Sequence, residues 1–265
     1  MSALRIGTTS YALRYRYLDA ATAPPLETQL EPLQGTGIGA LQICENVRPL
    51  ELSPDRWDSL QREAARQDIR LTLGCMTMRL DTVRQYLDRA AAIGCPTLRL
   101  ILETEGTPER GNVTALLDAV LPLLEGRDMR LAIENHFHLP SAFLAEVIRP
   151  YPASRVGVCL DVANSLRNFE SPETVFDLLE DRAFMYHFKD YRVEGSNVGF
   201  QVKGAPLGAG RLDLAGLLWR VGSRNPEPEI YLENWVPDSG VPAADAETDL
   251  EWLRQGVAAV RRLLE

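Results

Sequence analysis

The sequence predicts a single-domain (β/α)₈ barrel spanning residues 1–265. Three observations carry this expectation. Eight short apolar, β-branched runs alternate with longer amphipathic stretches, the pattern of βα units around a parallel sheet. No proline- or glycine-rich linker divides the chain, and 265 residues is an ordinary length for one such barrel. The last four runs carry carboxylates and a histidine at their ends, where parallel barrel strands converge on one mouth.

In order, the strands are LRIGTT at 4–9, ALQICE at 40–45, IRLTLGC at 69–75 and TLRLILE at 97–103. The second half adds MRLAIENH at 129–136, RVGVCLD at 155–161, FMYHFKD at 184–190 and EIYLENW at 229–235. Helices lie between them. Ser53-Pro54-Asp55 and Ser171-Pro172-Glu173 each place a capping serine before a proline at the first helical position, and Pro96 supplies a stop. Two connections are long: 12–25 after strand one, and YRVEGSNVGFQVKGAPLGAGR at 191–211 after strand seven. Long loops in compact domains are commonly functional, so both are expected over the mouth, the second as a lid or pocket wall.

Twenty-eight Lys and Arg against 37 Asp and Glu give a net charge of −9, which repels a phosphate backbone and argues against nucleic acid as a partner. No apolar stretch approaches the roughly 18 residues of a membrane span, and the start lacks a secretion signal. Cys44, Cys75, Cys95 and Cys159 are scattered without a CxxC pair, which fits buried structural thiols in a reducing cytoplasm.

Glu134 ends RLAIE, Asp161 ends VGVCLD, His187 lies in MYHFKD and Glu233 in IYLEN. A lone acid at a strand end often caps the next helix, and a lone histidine is more often a core residue than a ligand. Four consecutive strand ends change that balance. Three carboxylates gathered in an apolar setting repel one another and suffer desolvation, which a cation relieves. Three oxygens and one imidazole favour Mn²⁺, Mg²⁺ or Co²⁺, with Zn²⁺ also compatible.

Around this set, Lys189 shares a strand side with His187 and is placed to stabilise an oxyanion or hold a substrate carboxylate, against an external ion pair with Asp190. His136 and His138 also share a side and are candidate substrate contacts, against a solvated or hydrogen-bonded loop-edge pair. Glu45, ending strand two, is placed for substrate hydroxyls or as a helix cap. Arg99, Glu103, Lys203 and Arg211 could read an anionic substituent or hydroxyls, but charges near loops are mostly solvated, and no role is assigned to them. GAPLGAG lies in a loop and matches neither nucleotide-binding fingerprint, so a phosphorylated substrate has no support.

The segments LAIENH, VGVCLDVANS, HFKD and IYLENW resemble the fifth to eighth strand motifs of the sugar phosphate isomerase/epimerase family, which has a xylose-isomerase-like TIM barrel. The likeness runs over nearly the whole chain. It implies that Glu134, Asp161, His187 and Glu233 bind the metal and that Glu134 and Glu233 also act as acid and base. Many relatives have His three residues after the aspartate where this chain has Asn164, which still offers a hydrogen bond to substrate. A DNA-repair branch of the same barrel holds three zinc ions with several histidines, and three histidines in the whole chain argue against it. QICEN at 42–46 and GFQVKGAPLGAGRLD at 199–213 are similar to a subgroup that includes 3-oxo-isoapionate decarboxylases.

The resulting expectation is a metal-dependent isomerase or epimerase of a ketose or sugar acid working through an enediolate. The alternative is a decarboxylase of a 3-oxo sugar acid such as 3-oxo-isoapionate, which forms the same enediolate by losing CO₂. A non-catalytic sugar-binding barrel is the remote alternative. The resemblance implies a small carbohydrate as partner and a homodimer or homotetramer as the assembly.

Overall fold

The computed structural model describes residues 5–16, 25–225 and 227–264. Leu4 of the first expected strand and residues 17–24 of the first expected loop lie outside the described residues. The strands are β1 (Ile6–Thr9), β2 (Ala40–Ile43), β3 (Arg70–Met76), β4 (Thr97–Ile101), β5 (Arg130–Glu134), β6 (Val156–Asp161), β7 (Ala183–Phe188), β8 (Asp190–Ser196), β9 (Gly199–Ala205) and β10 (Glu229–Leu232). Eight of them close a barrel in the ring order β1, β2, β3, β4, β5, β6, β7, β10. Every pairing in that ring is parallel, for example Glu134 opposite Cys159 and Asp161 opposite His187. β8 and β9 form a separate antiparallel hairpin in the connection after β7.

The helices are α1 (Pro54–Arg66), α2 (Leu80–Ala92), α3 (Arg110–Glu125), α4 (Ser141–Ile148), α5 (Pro172–Leu179), α6 (Leu214–Arg224) and α7 (Pro242–Leu264). Both expected serine caps form: Ser53 accepts from the Arg56 amide and Ser171 from the Thr174 amide. Among the described residues the β1–β2 connection carries short 3₁₀ turns where an eighth α-helix was expected. Pro25 and Pro32 each lack an amide donor, and Gly35 and Gly37 sit at φ 74° and 86°, which together break helical continuity.

Inside the barrel, Ala40, Ala132, Cys159, Met185 and Tyr231 pack together, and Tyr231 Oη lies 3.0 Å from Thr72 Oγ1. Apolar residues on the opposite strand faces, such as Leu41, Leu73, Leu100, Ile133 and Leu160, join the core under the helices. Gly74 is a required absence of side chain. A Cβ there would lie 2.9 Å from Arg99 Cδ and 3.3 Å from Cys44 Sγ, so the glycine leaves the volume that Arg99 fills. All four cysteines are free and buried. Among the described residues, no helix is long and apolar enough to cross a membrane.

Candidate metal centre

β5 and β6 end on their own functional residues, Glu134 and Asp161, while β7 and β10 stop short of Lys189 and Glu233. The Glu233 amide still donates to Phe188 O at 2.9 Å, which keeps the chain in register as it leaves the ladder. Glu134, Asp161, His187 and Lys189 are all at most 3% exposed, and Glu233 is 8% exposed. The structure brings these five together at one rim.

His187 stands at the middle. Its Nδ1 lies 3.6 Å from Glu134 Oε2 and 3.4 Å from Glu233 Oε1. Neither ring nitrogen has a hydrogen-bond partner although both are buried. Leaving such a group unsatisfied is costly, and a metal ion is a partner that would relieve the cost. Donor atoms of Asp161, His187 and Glu233 lie within 4.8 Å of one another, as do those of Glu134, Cys159 and His187. Cys159 packs with Ala40, Ala132, Met185 and Tyr231 inside the barrel, and burial pushes its thiol well above its ordinary range. The donor chemistry of Asp161, His187 and Glu233, with Glu134 beside the same His187 nitrogen, therefore fits a hard or borderline divalent ion.

Each carboxylate is further fixed. Arg99 Nε donates to Glu134 Oε2 at 2.5 Å, and Asn164 Nδ2 donates to Glu134 Oε1 at 2.8 Å. Asp161 Oδ1 accepts the amides of Ala163 and Asn164 at 2.9 and 2.8 Å. Thr9 Oγ1 donates to Glu233 Oε1 at 2.8 Å, and Lys189 Nζ donates to Glu233 Oε2 at 2.6 Å. Burial alone would push all three carboxyls up. For Glu134 the Arg99 charge, and for Glu233 the Lys189 charge, overcomes burial and holds them below the usual range. Burial wins at Asp161, which is shifted upward despite Lys189.

Lys189 points into the mouth. Its Nζ lies 2.8 Å from Asp161 Oδ2 and 5.2 Å from the Trp235 ring centroid, and the external pair with Asp190 is absent. Asp190 instead accepts four backbone amides, those of Tyr191, Gly208, Gly210 and Leu212, and so fastens the base of the hairpin. Asn164 reaches the centre, but its amide group is engaged by Glu134 and by Lys189, whose Nζ donates to Oδ1 at 3.2 Å.

Glu45 lies on a 3₁₀ turn past β2 and caps no helix, since Ser53 does that work. It accepts from Tyr11 Oη at 2.8 Å and faces Arg99 Nη1 at 3.5 Å. His136 is half-buried beside the centre with Nδ1 unpartnered, and burial pushes its pKa down to about 4, so the ring is neutral. His138 is engaged structurally, with Nε2 3.2 Å from Leu102 O.

The expectation of solvated charges holds for Glu103 and Arg211, which are exposed, and for Lys203, paired with Glu194 on the hairpin. It fails for Arg99, which is buried and bonded to Glu134. A charged residue in the middle of the apolar run TLRLILE was the signal, and the barrel-facing Gly74 beside it was the second. The hairpin confirms a pocket wall: Val202 and Gly204 of β9, with Phe137, Asn164 and Trp235, line a cavity of about 530 Å³ beside the centre.

With this geometry in hand, the sequence profile of the xylose isomerase-like TIM barrel family matches residues 31–256. The chain is 27% identical over 259 residues to a 3-oxo-isoapionate decarboxylase from Pectobacterium atrosepticum, covering 96% of this chain and 94% of that one. Its fold is similar to the crystal structure of a sugar phosphate isomerase/epimerase from Parabacteroides distasonis, with TM-score 0.72, 12% identity, and 100% and 96% of the two chains covered. It is similar also to a xylose isomerase-like TIM barrel protein from Mycobacterium smegmatis in complex with magnesium, with TM-score 0.70, 16% identity, and 96% and 98% covered.

Proposed function

The chain belongs to the xylose isomerase-like TIM barrel family, and on that premise we propose that it is a divalent-metal-dependent isomerase or epimerase of a ketose or sugar acid. One observation carries the reading. Glu134, ending β5, and Glu233, just past β10, place carboxylate oxygens 3.6 and 3.4 Å from the same His187 nitrogen. Two ionised glutamates thus flank one point, as acid/base transfer across a bound substrate requires.

In this reading Glu134, Asp161, His187 and Glu233 hold the ion, which is Mn²⁺, Mg²⁺ or Co²⁺, with Zn²⁺ compatible. When bound, such an ion supplies Lewis acidity that acidifies a C–H between adjacent hydroxyl and carbonyl oxygens. One glutamate takes that proton. The other, which first takes up a proton from water, delivers it to the neighbouring carbon or oxygen for isomerisation, or to the opposite face of the same carbon for epimerisation. The Lys189 ammonium stabilises negative charge as it develops on the substrate oxygen, while Glu45 and His136 contact hydroxyl groups. Phe137 and Trp235 give the pocket an apolar wall against which a sugar ring packs. The four buried, unpaired thiols suit a reducing cytoplasm.

A second reading, decarboxylation of a 3-oxo sugar acid such as 3-oxo-isoapionate, is favoured by the name of the Pectobacterium relative. There the electrons of the broken C–C bond form the enediolate, so no base is needed, and Lys189 is placed for the substrate carboxylate. Ketoses, inososes and 3-oxo acids incubated with metal-loaded protein in D₂O separate the two by NMR. Isomerase or epimerase chemistry incorporates deuterium at the carbon beside the carbonyl, and Glu134→Gln slows this by roughly 10²- to 10⁴-fold with the fold intact. CO₂ release without exchange in unreacted substrate selects the lyase. Exchange that persists in Glu134→Gln contradicts the role assigned to Glu134.

A further inference from the structure

Four carboxylates among the described residues, Glu45, Glu134, Asp161 and Glu233, stand at the mouth as two bridged pairs. Arg99 spans one: Nε is 2.5 Å from Glu134 Oε2 and Nη1 is 3.5 Å from Glu45 Oε2. Lys189 spans the other, at 2.8 Å from Asp161 Oδ2 and 2.6 Å from Glu233 Oε2. His187 lies between the pairs with both ring nitrogens free. Four negative charges against two positive leave two, which is the charge of one divalent ion and no more.

We propose that Arg99 is a positioning residue that restricts the centre to a single divalent ion, its guanidinium taking the place on the Glu45–Glu134 side that a second metal would otherwise fill. This deepens the proposed function and rests on its metal-binding reading. Two facing carboxylates buried without a counter-charge either take up protons or gather a cation. A guanidinium is the more durable answer, because it stays charged at every working pH and its planar fork holds carboxylates in fixed directions.

The barrel is shaped for this particular cation. Arg99 starts on β4 in the barrel interior, between apolar neighbours, and reaches the rim only because Gly74 on β3 leaves its aliphatic stem room. Its hold is uneven. Nε is tightly bonded to Glu134, whereas Nη1 and Glu45 Oε2 are both buried and have no hydrogen-bond partner. Glu45 is therefore kept mainly by charge, and by Tyr11 on its other oxygen. Removing the guanidinium charge frees Glu45 and one oxygen of Glu134 together, as a ready pair of donors for a second ion.

The test is metal stoichiometry of the full chain, stripped with chelator and titrated calorimetrically with Mn²⁺, with Mn²⁺ paramagnetic resonance reporting coupling between neighbouring ions. Wild type and Arg99→Lys are expected to take up one Mn²⁺ per chain. Arg99→Met and the polar, buried-tolerant Arg99→Gln are expected to take up two, with a coupled resonance signal. The double variant Arg99→Gln/Glu45→Gln is expected to return to one. Two ions in the wild type overturn the proposal, as does a single ion in whichever neutral Arg99 variant is folded by circular dichroism, or two in the double variant. A wild type that binds no ion removes the metal reading itself, a failure distinct from one ion everywhere.

Discussion

Glu134 and Glu233 are ionised inside a buried site because Arg99 and Lys189 outweigh the desolvation that would otherwise protonate them. Asp249 shows the opposite outcome away from the centre. Its carboxylate is fully buried, and burial pushes its pKa up to about 7, with Arg14 and the Asn234 side chain opposing the shift and Asp245 adding to it. A folded pKa raised above the unfolded value of about 3.9 means that the folded state binds the extra proton between those limits. The stability from this group is present below about pH 4 and is lost as pH climbs through about 7. Asp249→Asn is therefore expected to stabilise the protein at pH 8 by about 1–3 kcal/mol and to flatten that part of the profile. Urea unfolding at pH 4, 6 and 8 checks this, and an unchanged slope in the variant refutes it. At this scale the sequence was legible where a polar residue closed an apolar run, as with Asp161 ending VGVCLD. For Arg99 the charge inside TLRLILE was a signal, but its burial depends on Gly74 of β3 and on Glu45, which are 25 and 54 positions away in the chain.

The β8–β9 hairpin was read from the sequence only as a long loop. Glycines at 195, 199 and 204 lower strand preference, and Val193, Phe200 and Val202 alternate on a ribbon with only one partner strand, so no buried-strand signature arises. Structure is imposed instead by the four amides that Asp190 accepts and by contact of Gly204 with Trp235. A Cβ on residue 204 would come within 2.0 Å of the Trp235 carbonyl oxygen. Gly204→Ala is expected to cost about 1–3 kcal/mol through overpacking. It should also weaken Mn²⁺ binding several-fold, because Trp235 lies two residues past Glu233. Denaturant midpoints and calorimetry on the same samples measure both, and an unperturbed midpoint contradicts the tight packing. The expected helix after β1 failed for a local reason, prolines and positive-φ glycines, that composition shows but periodicity hides.

Across the molecule, barrel closure converts sequence distance into proximity. Glu134, Asp161 and His187 of β5, β6 and β7 and Glu233 just past β10 meet because parallel strands all end on one rim. That convergence was readable from the order of the strands. The bridging of its carboxylates by two internal cations was not, since it depends on side-chain direction across the interior. A protein with this much buried negative charge at one site should be stabilised by a divalent ion that binds there. At metal concentrations near 100 times Kd, ligand linkage adds about 2.7 kcal/mol. For a chain of this size that raises Tm by about 5 °C. No shift with Mn²⁺, Mg²⁺, Co²⁺ or Zn²⁺ would count against a metal centre. Its location is tested most directly by anomalous diffraction at the manganese edge from crystals grown with Mn²⁺. The prediction is one peak at the rim, about 2.0–2.3 Å from oxygens of Glu134, Asp161 and Glu233 and from one His187 nitrogen. A peak elsewhere, or none in that pocket at saturating Mn²⁺, would contradict it.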